Sequence, residues 1–170
     1  PREFEVIGVP YAERGARVNE HIEVIRTLWT QEQPRFAGRF TNLSGIQSRP
    51  LPVQAPHPPF IIGGMSAAGY RRAIRQGDGW YGFNQDEGEV AESIAGLRQA
   101  AVEAGDPARF SRLEISVTPK GPMNRDRVQR FADLGVARLI LLPAVSARSD
   151  SPLDATRRFI EDTADTLIHG

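Results

Sequence analysis

Residues 59 to 83 constrain the fold more than any other stretch. Pro59-Phe60-Ile61-Ile62 is a short apolar β-run that ends on Gly63-Gly64-Met65-Ser66, and Ala67-Ala68-Gly69-Tyr70-Arg71-Arg72-Ala73 continues as a small-residue helix. That helix stops at Gly77, and Gly79-Trp80-Tyr81-Gly82-Phe83 starts a second strand at once. A strand, a tight turn, a helix and another strand in so little chain imply a parallel βαβ crossover, right-handed as such crossovers are. The turn has chemistry of its own. Gly63 and Gly64 carry no Cβ, so the backbone is open to close approach, and Ser66 stands where an N-cap belongs. Free N–H groups and the helix dipole at such a point favour a phosphate-sized anion.

The same alternation continues downstream. Val90, Ile94, Leu97 and Ala101 form one helical stripe that stops at Gly105-Asp106-Pro107. Leu113 to Thr118 reads as a third strand, and Asn124 caps a helix through Val128, Phe131 and Leu134 to Gly135. Ala137 to Leu142 reads as one apolar run, the mark of a parallel strand covered on both faces. A last helix runs from Leu153 to Ile168. Strands near residues 60, 79, 113 and 137, each followed by a helix, make an α/β parallel sheet.

Upstream, Val18, Ile22, Ile25 and Trp29 stripe a leading helix between Ala12 and Thr30. Residues 31 to 58, rich in Pro and Gly, read as an inserted segment over one end of the fold, with a short hairpin through Arg39 to Leu43. The expected organisation is therefore a single domain over 1–170, with a leading helix in 1–30, the Pro-rich insertion in 31–58 and four βα units in 59–170. Two architectures accommodate it: a small doubly wound sheet or half of a (β/α)8 barrel. A doubly wound sheet calls for G-x-G-x-x-G and an acidic residue after the next strand, and Gly-Gly-x-Ser offers neither. Barrels bind phosphate in the loops after their later strands, which suits Gly63 to Ser66.

Composition removes several function classes. Lys+Arg and Asp+Glu balance at 21 each, so no net field recruits nucleic acid or an anionic membrane. The chain has no cysteine, which excludes disulfides, thiolate metal sites and a Cys nucleophile. His21, His57 and His169 are scattered, so no metal site is expected. Ser66 has no G-x-S-x-G elbow around it. With no apolar run of membrane length, a cytoplasmic location is expected.

Four segments in register carry a resemblance. Arg2-Glu3-Phe4-Glu5 with Gly8-Val9-Pro10-Tyr11, then Glu13-Arg14-Gly15-Ala16-Arg17 and Glu20 leading to Leu28-Trp29, resembles the luciferase-like flavin monooxygenases, especially their coenzyme F-420-dependent branch. Pro50-Leu51-Pro52-Val53-Gln54-Ala55-Pro56, Ile62-Gly63-Gly64 and Gly77-Asp78-Gly79-Trp80 continue the likeness in the same order, to about residue 145. The resemblance implies a partial (β/α)8 TIM barrel, the C-terminal half, with about the last four βα units plus a leading helix. It implies a cofactor over the C-terminal strand ends, coenzyme F-420 first and FMN as the alternative.

The implied reaction is hydride transfer between coenzyme F-420 and a small organic substrate, with FMN-dependent monooxygenation as the runner-up. Gly63, Gly64, Met65 and Ser66 would hold the cofactor phosphate. Trp80, at the active-site end of its strand, would touch the cofactor or pack in the core. Lys120 and Arg148, after the third and fourth strands, are weaker candidates for a substrate or cofactor tail. Arg71, Arg72 and Arg75 are read as facing outward, and Asp78 as ordering its turn. Valine at Gly64 is expected to block the phosphate and leave the fold intact.

Relatives in this family carry four further strands ahead of the segment matching Arg2-Glu3-Phe4, and with Pro1 rather than Met as first residue the chain reads as a piece of a longer protein. Catalytic residues are expected upstream of Pro1. The inner sheet face is expected to be apolar and to require a homodimer or a missing N-terminal half to cover it. From another class comes a half-barrel without catalysis that serves as an assembly module.

Overall fold

The computed structural model describes residues 2–143 and 151–169, so Arg148 lies outside the described residues. The chain divides into two units, residues 1–60 and 61–170.

The first unit opens with a short helix α1 (Arg2–Val6), a 3-10 turn (Tyr11–Glu13) and the long helix α2 (Arg14–Thr30). Its hairpin pairs β1 (Phe36–Ala37) with β2 (Asn42–Leu43), antiparallel. The carboxylate of Glu20 on α2 accepts the backbone N–H groups of Arg39 at 2.8 Å and Phe40 at 2.9 Å. Desolvation pushes this carboxyl up, but the N–H bonds from Phe40, Arg39 and Thr41 outweigh it, and its pKa falls. A Cβ on Gly38 would stand 2.5 Å from the Glu20 carboxyl and 2.6 Å from the Phe36 ring, so a side chain there would displace one or both. Trp29 stacks on Phe60 with ring centroids 5.4 Å apart. The Pro-rich stretch is thus anchored to α2 through side chains. On α2 His21 is exposed, and Ile22 beside it is the buried residue.

The second unit alternates strand and helix. In chain order these are β3 (Ile61–Gly63), α3 (Ala67–Gln76), β4 (Gly79–Gln85), α4 (Glu87–Glu103), β5 (Glu114–Pro119), α5 (Arg125–Asp133), β6 (Arg138–Leu139) and α6 (Pro152–Ala164). The strands lie side by side in chain order and all run parallel. No strand order reverses along the sheet, as it must in a doubly wound fold, and the arrangement is an arc of barrel wall. Helices start where side chains satisfy free N–H groups. Ser66 accepts from Gly69, Asn124 from Arg127, and Asp86 forms a reciprocal capping box with Glu89. Ile62, Trp80, Ile115 and Val117 on the sheet, with Val90, Ile94, Leu97 and Ala101 on α4, form the buried core.

The other sheet face differs from the apolar expectation. Arg138 lies opposite Ser116 in the register, its Nε 3.1 Å from Glu114 Oε1, and Ser116 Oγ donates to the same carboxylate. Tyr81 and Thr118 share a hydroxyl–hydroxyl bond of 2.7 Å. The Ala137–Leu142 run yields only a two-residue strand, and Arg138 is exposed. Strand residues alternate between faces, so Arg138 shares this face with Ile140, and with exposed Ile61 and Phe83 the face is mixed rather than wholly apolar.

Candidate functional site

The turn after β3 is open backbone at the C-terminal edge of the sheet. Residues 63 to 68 are all exposed, and Met65 leaves 57% of its surface in solvent. Ser66 is extended, with φ −120° and ψ 158°, and its Oγ accepts the Gly69 N–H at 3.3 Å. The glycines divide by cause. Gly64 has φ +113°, a conformation that a side chain strains, so valine there would disturb the turn itself and the expectation of an intact fold is corrected. A Cβ on Gly69 would lie 2.8 Å from the Gly64 carbonyl oxygen, so Gly69 lets α3 start tight against the turn. Gly63 has neither need. Its φ is not among the positive values, and the nearest atom to an added Cβ would be the Tyr81 carbonyl oxygen at 4.0 Å. Among the described residues nothing asks for glycine there.

Trp80 meets the turn from below. It is fully buried, and its indole Nε1 donates to the Gly64 carbonyl at 3.0 Å, so its ring holds the turn from the core side. Behind it, Tyr70 OH and Gln85 Nε2 both donate to Ser93 Oγ at 3.1 Å, tying α3 and β4 to α4. Sequence reasoning missed Gly69, Tyr70 and Ser93; the small residue three places after an N-cap Ser was the one available signal.

The weaker candidates are engaged or peripheral. Lys120 Nζ sits 3.6 Å from Glu89 Oε1. Arg71 and Arg75 are exposed on α3, Arg72 is half-buried, and half-buried Asp78 offers its carbonyl to the Glu114 N–H that starts β5. His57 packs its ring 4.9 Å from Phe60. One further arrangement shapes the same edge. Arg127 on α5 grips Glu87 with Nε and Nη2, both at 2.9 Å, and donates Nη1 to the Lys120 and Pro122 carbonyls. The hydrogen bond from Arg127 brings the Glu87 carboxyl from 4.5 down to about 2, and Glu87 in turn raises Arg127. This pair fixes the loop that follows β5.

Comparison with known proteins gives a consistent picture. The family model for luciferase-like monooxygenases matches residues 1–132. An uncharacterized protein of Mycobacterium tuberculosis is 33% identical over 171 residues, covering 99% of this chain and 57% of its own length. The FMNH(2)-dependent dimethylsulfone monooxygenase of Pseudomonas putida is 34% identical over 112 residues, 64% of this chain and 31% of that protein. Among solved structures, the coenzyme F-420 dependent tetrahydromethanopterin reductase of Methanopyrus kandleri superposes with a TM-score of 0.70 at 11% identity, over 98% of this chain and 70% of that one. This last likeness is one of fold: the four βα units correspond to part of a (β/α)8 barrel. The chain spans 57% of the length of the mycobacterial relative and 31% of the Pseudomonas putida one.

Proposed function

The chain belongs to the luciferase-like monooxygenase family, and from that premise we propose that it is the phosphate-anchoring part of a flavin- or deazaflavin-dependent oxidoreductase. One observation carries the reading: Gly63, at the open end of β3, is a glycine that neither backbone conformation nor internal packing requires. A residue without a side chain, beside the N-terminus of a capped helix, fits a turn shaped for an anion from outside. The exposed turn and the capped start of α3 support a phosphate-bearing cofactor. The N–H groups of Gly64, Met65 and Ala67, with the Ser66 hydroxyl, would hold the phosphate, and Trp80 would act as a positioning residue through the Gly64 carbonyl.

Coenzyme F-420 bound there supplies hydride transfer to or from a small organic substrate; FMN would supply oxygen-linked chemistry instead. This chain's own residues bind and orient. The ten-residue helix α3 aligns its dipole on the anion, and the buried indole keeps the turn from shifting as charge arrives. FMN remains as a second reading because the Pseudomonas putida relative, named for FMNH(2), is as similar over its matched residues as the mycobacterial one. Among the described residues no helix is long and apolar enough to cross a membrane, and a cytoplasmic location is part of this reading.

Among the described residues β3 and β6 each have one neighbour in their sheet, and a second copy or an N-terminal half would pair them. Titration of the purified protein with coenzyme F-420 and with FMN, followed by cofactor fluorescence, tests the assignment. Saturable binding of coenzyme F-420 and none of FMN is expected. The opposite result transfers the reading to the flavin, and binding of neither overturns it.

A further inference from the structure

We propose that the cavity between the ends of β4 to β6 and the C-terminal part of α6 binds a small apolar molecule that carries no negative charge, and that this molecule is the substrate; the second half rests on the cofactor reading above. The cavity holds about 520 Å³, inside the range of about 300–1,000 Å³ usual for small-molecule sites. Because the strands are parallel, it opens at the same sheet edge as the Gly63–Ser66 turn. Phe83, Leu142 and Phe159 give it apolar walls, while Asn84 and Thr118 supply neutral hydrogen-bonding groups. Asp162 is the single charged residue among the described lining residues.

Cations around it are engaged: Lys120 with Glu89, Arg127 with Glu87 and the loop carbonyls, and Arg125 with the Thr166 carbonyl. A carboxylate, phosphate or sulfonate entering here would give up water and face the Asp162 carboxylate, with no Lys or Arg among the described lining residues. A neutral alcohol, ketone or amide loses far less and finds Asn84 and Thr118. Asn84 adds an independent sign. It has φ +53°, in the left-handed region, at the point where the β4–β5 register shifts between Gly82 and Gln85. Such irregularities at strand ends re-aim side chains and concentrate at functional sites.

The test uses two probes of matched size, neutral naphthylmethanol and anionic naphthoate, titrated into the 170-residue chain and followed by backbone amide shifts. Naphthylmethanol is expected to move amides of residues 83–84, 118–123, 141–142 and 159–167, and naphthoate to bind at least about tenfold more weakly. Asp162→Lys, on an exposed helical position, should bring naphthoate to within about threefold of the alcohol. Leu142→Trp, at another exposed position, should abolish binding of both by filling the space. Equal affinity for the two probes, no response to Asp162→Lys, or shifts confined to other residues would overturn the proposal. A parallel cofactor titration keeps the two readings separate. Loss of cofactor binding with the cavity response intact refutes only the substrate role; a silent cavity beside a responding Gly63–Ser66 turn refutes only the cavity.

Discussion

Replacing Glu87 with Gln removes a charge and keeps the shape, and it should weaken the protein in a pH-dependent way. In the folded chain Arg127 holds the Glu87 carboxyl near 2, against 4.5 without its partners. That difference corresponds to an upper limit of about 3 kcal/mol for the ionised pair. Glu87 keeps 25% of its side chain in solvent and Arg127 15%, so screening reduces the share realised at neutral pH to about 1–2 kcal/mol. The sign follows from the folded value lying below the unfolded one. The contribution is complete above pH 4.5, shrinks as the unfolded chain takes up the proton, and is gone near pH 2.

Urea unfolding of wild type and Glu87→Gln at pH 7, followed by the same pair at steps down to pH 2, measures it. A slope of about 1–3 kcal/mol/M in urea turns the neutral-pH loss into a midpoint shift of about 0.3–2 M. The gap between the two proteins should hold down to about pH 4.5 and close below it. Equal midpoints at pH 7, or a gap that persists unchanged to pH 2, would refute the pairing as a stabilising element. Because Arg127 also holds the Lys120 and Pro122 carbonyls, the variant should show faster amide exchange over residues 120–123.

Two glycines should part company. Gly63→Ala should leave the melting midpoint nearly unchanged, within about 0.5–1 kcal/mol, while lowering cofactor affinity. Gly69→Ala should cost about 1–3 kcal/mol, because its methyl would meet the Gly64 carbonyl at 2.8 Å. Thermal unfolding and cofactor titration on the same samples read both effects, and a destabilised Gly63→Ala would contradict the account. Trp80→Phe, which removes the indole donor beneath Gly64, should cost about 1–3 kcal/mol and weaken cofactor binding as well. Chemical unfolding with a parallel titration checks it; unchanged affinity would reduce Trp80 to packing alone. Ser66→Ala should cost about 1 kcal/mol through the lost cap, seen in the same melts.

Much of this fold was legible because it is written in local pattern. The Val90–Ile94–Leu97–Ala101 stripe lies buried on α4, and Ser66 and Asn124 cap the helices their positions announced. The capping box from Asp86 to Glu89 carried an equally local signature and went unread. What stayed hidden depends on partners far along the chain. Arg127 meets Glu87 across 40 residues, and Glu20 reaches the Arg39 and Phe40 N–H groups across 19 and 20. Gly69 looked like any small helix residue until the Gly64 carbonyl was seen against it. The mixed sheet face escaped because an apolar run says nothing of which face each residue takes, and Arg138 inside the run pairs with Glu114. Trp80 sat at the strand position the sequence indicated, but its burial and its bond to Gly64 are products of tertiary packing.

The central claim is that the turn after β3 receives the cofactor phosphate. A titration of the nitrogen-15-labelled chain with coenzyme F-420, and with FMN alongside, reads that turn directly through its own amides. The account predicts that the N–H signals of Gly63, Gly64, Met65, Ser66 and Ala67 move first and saturably, and that Gly63→Val abolishes the movement while the rest of the spectrum stays folded. A cofactor that binds while these amides remain still, or a Gly63→Val protein that binds as tightly as wild type, would contradict it.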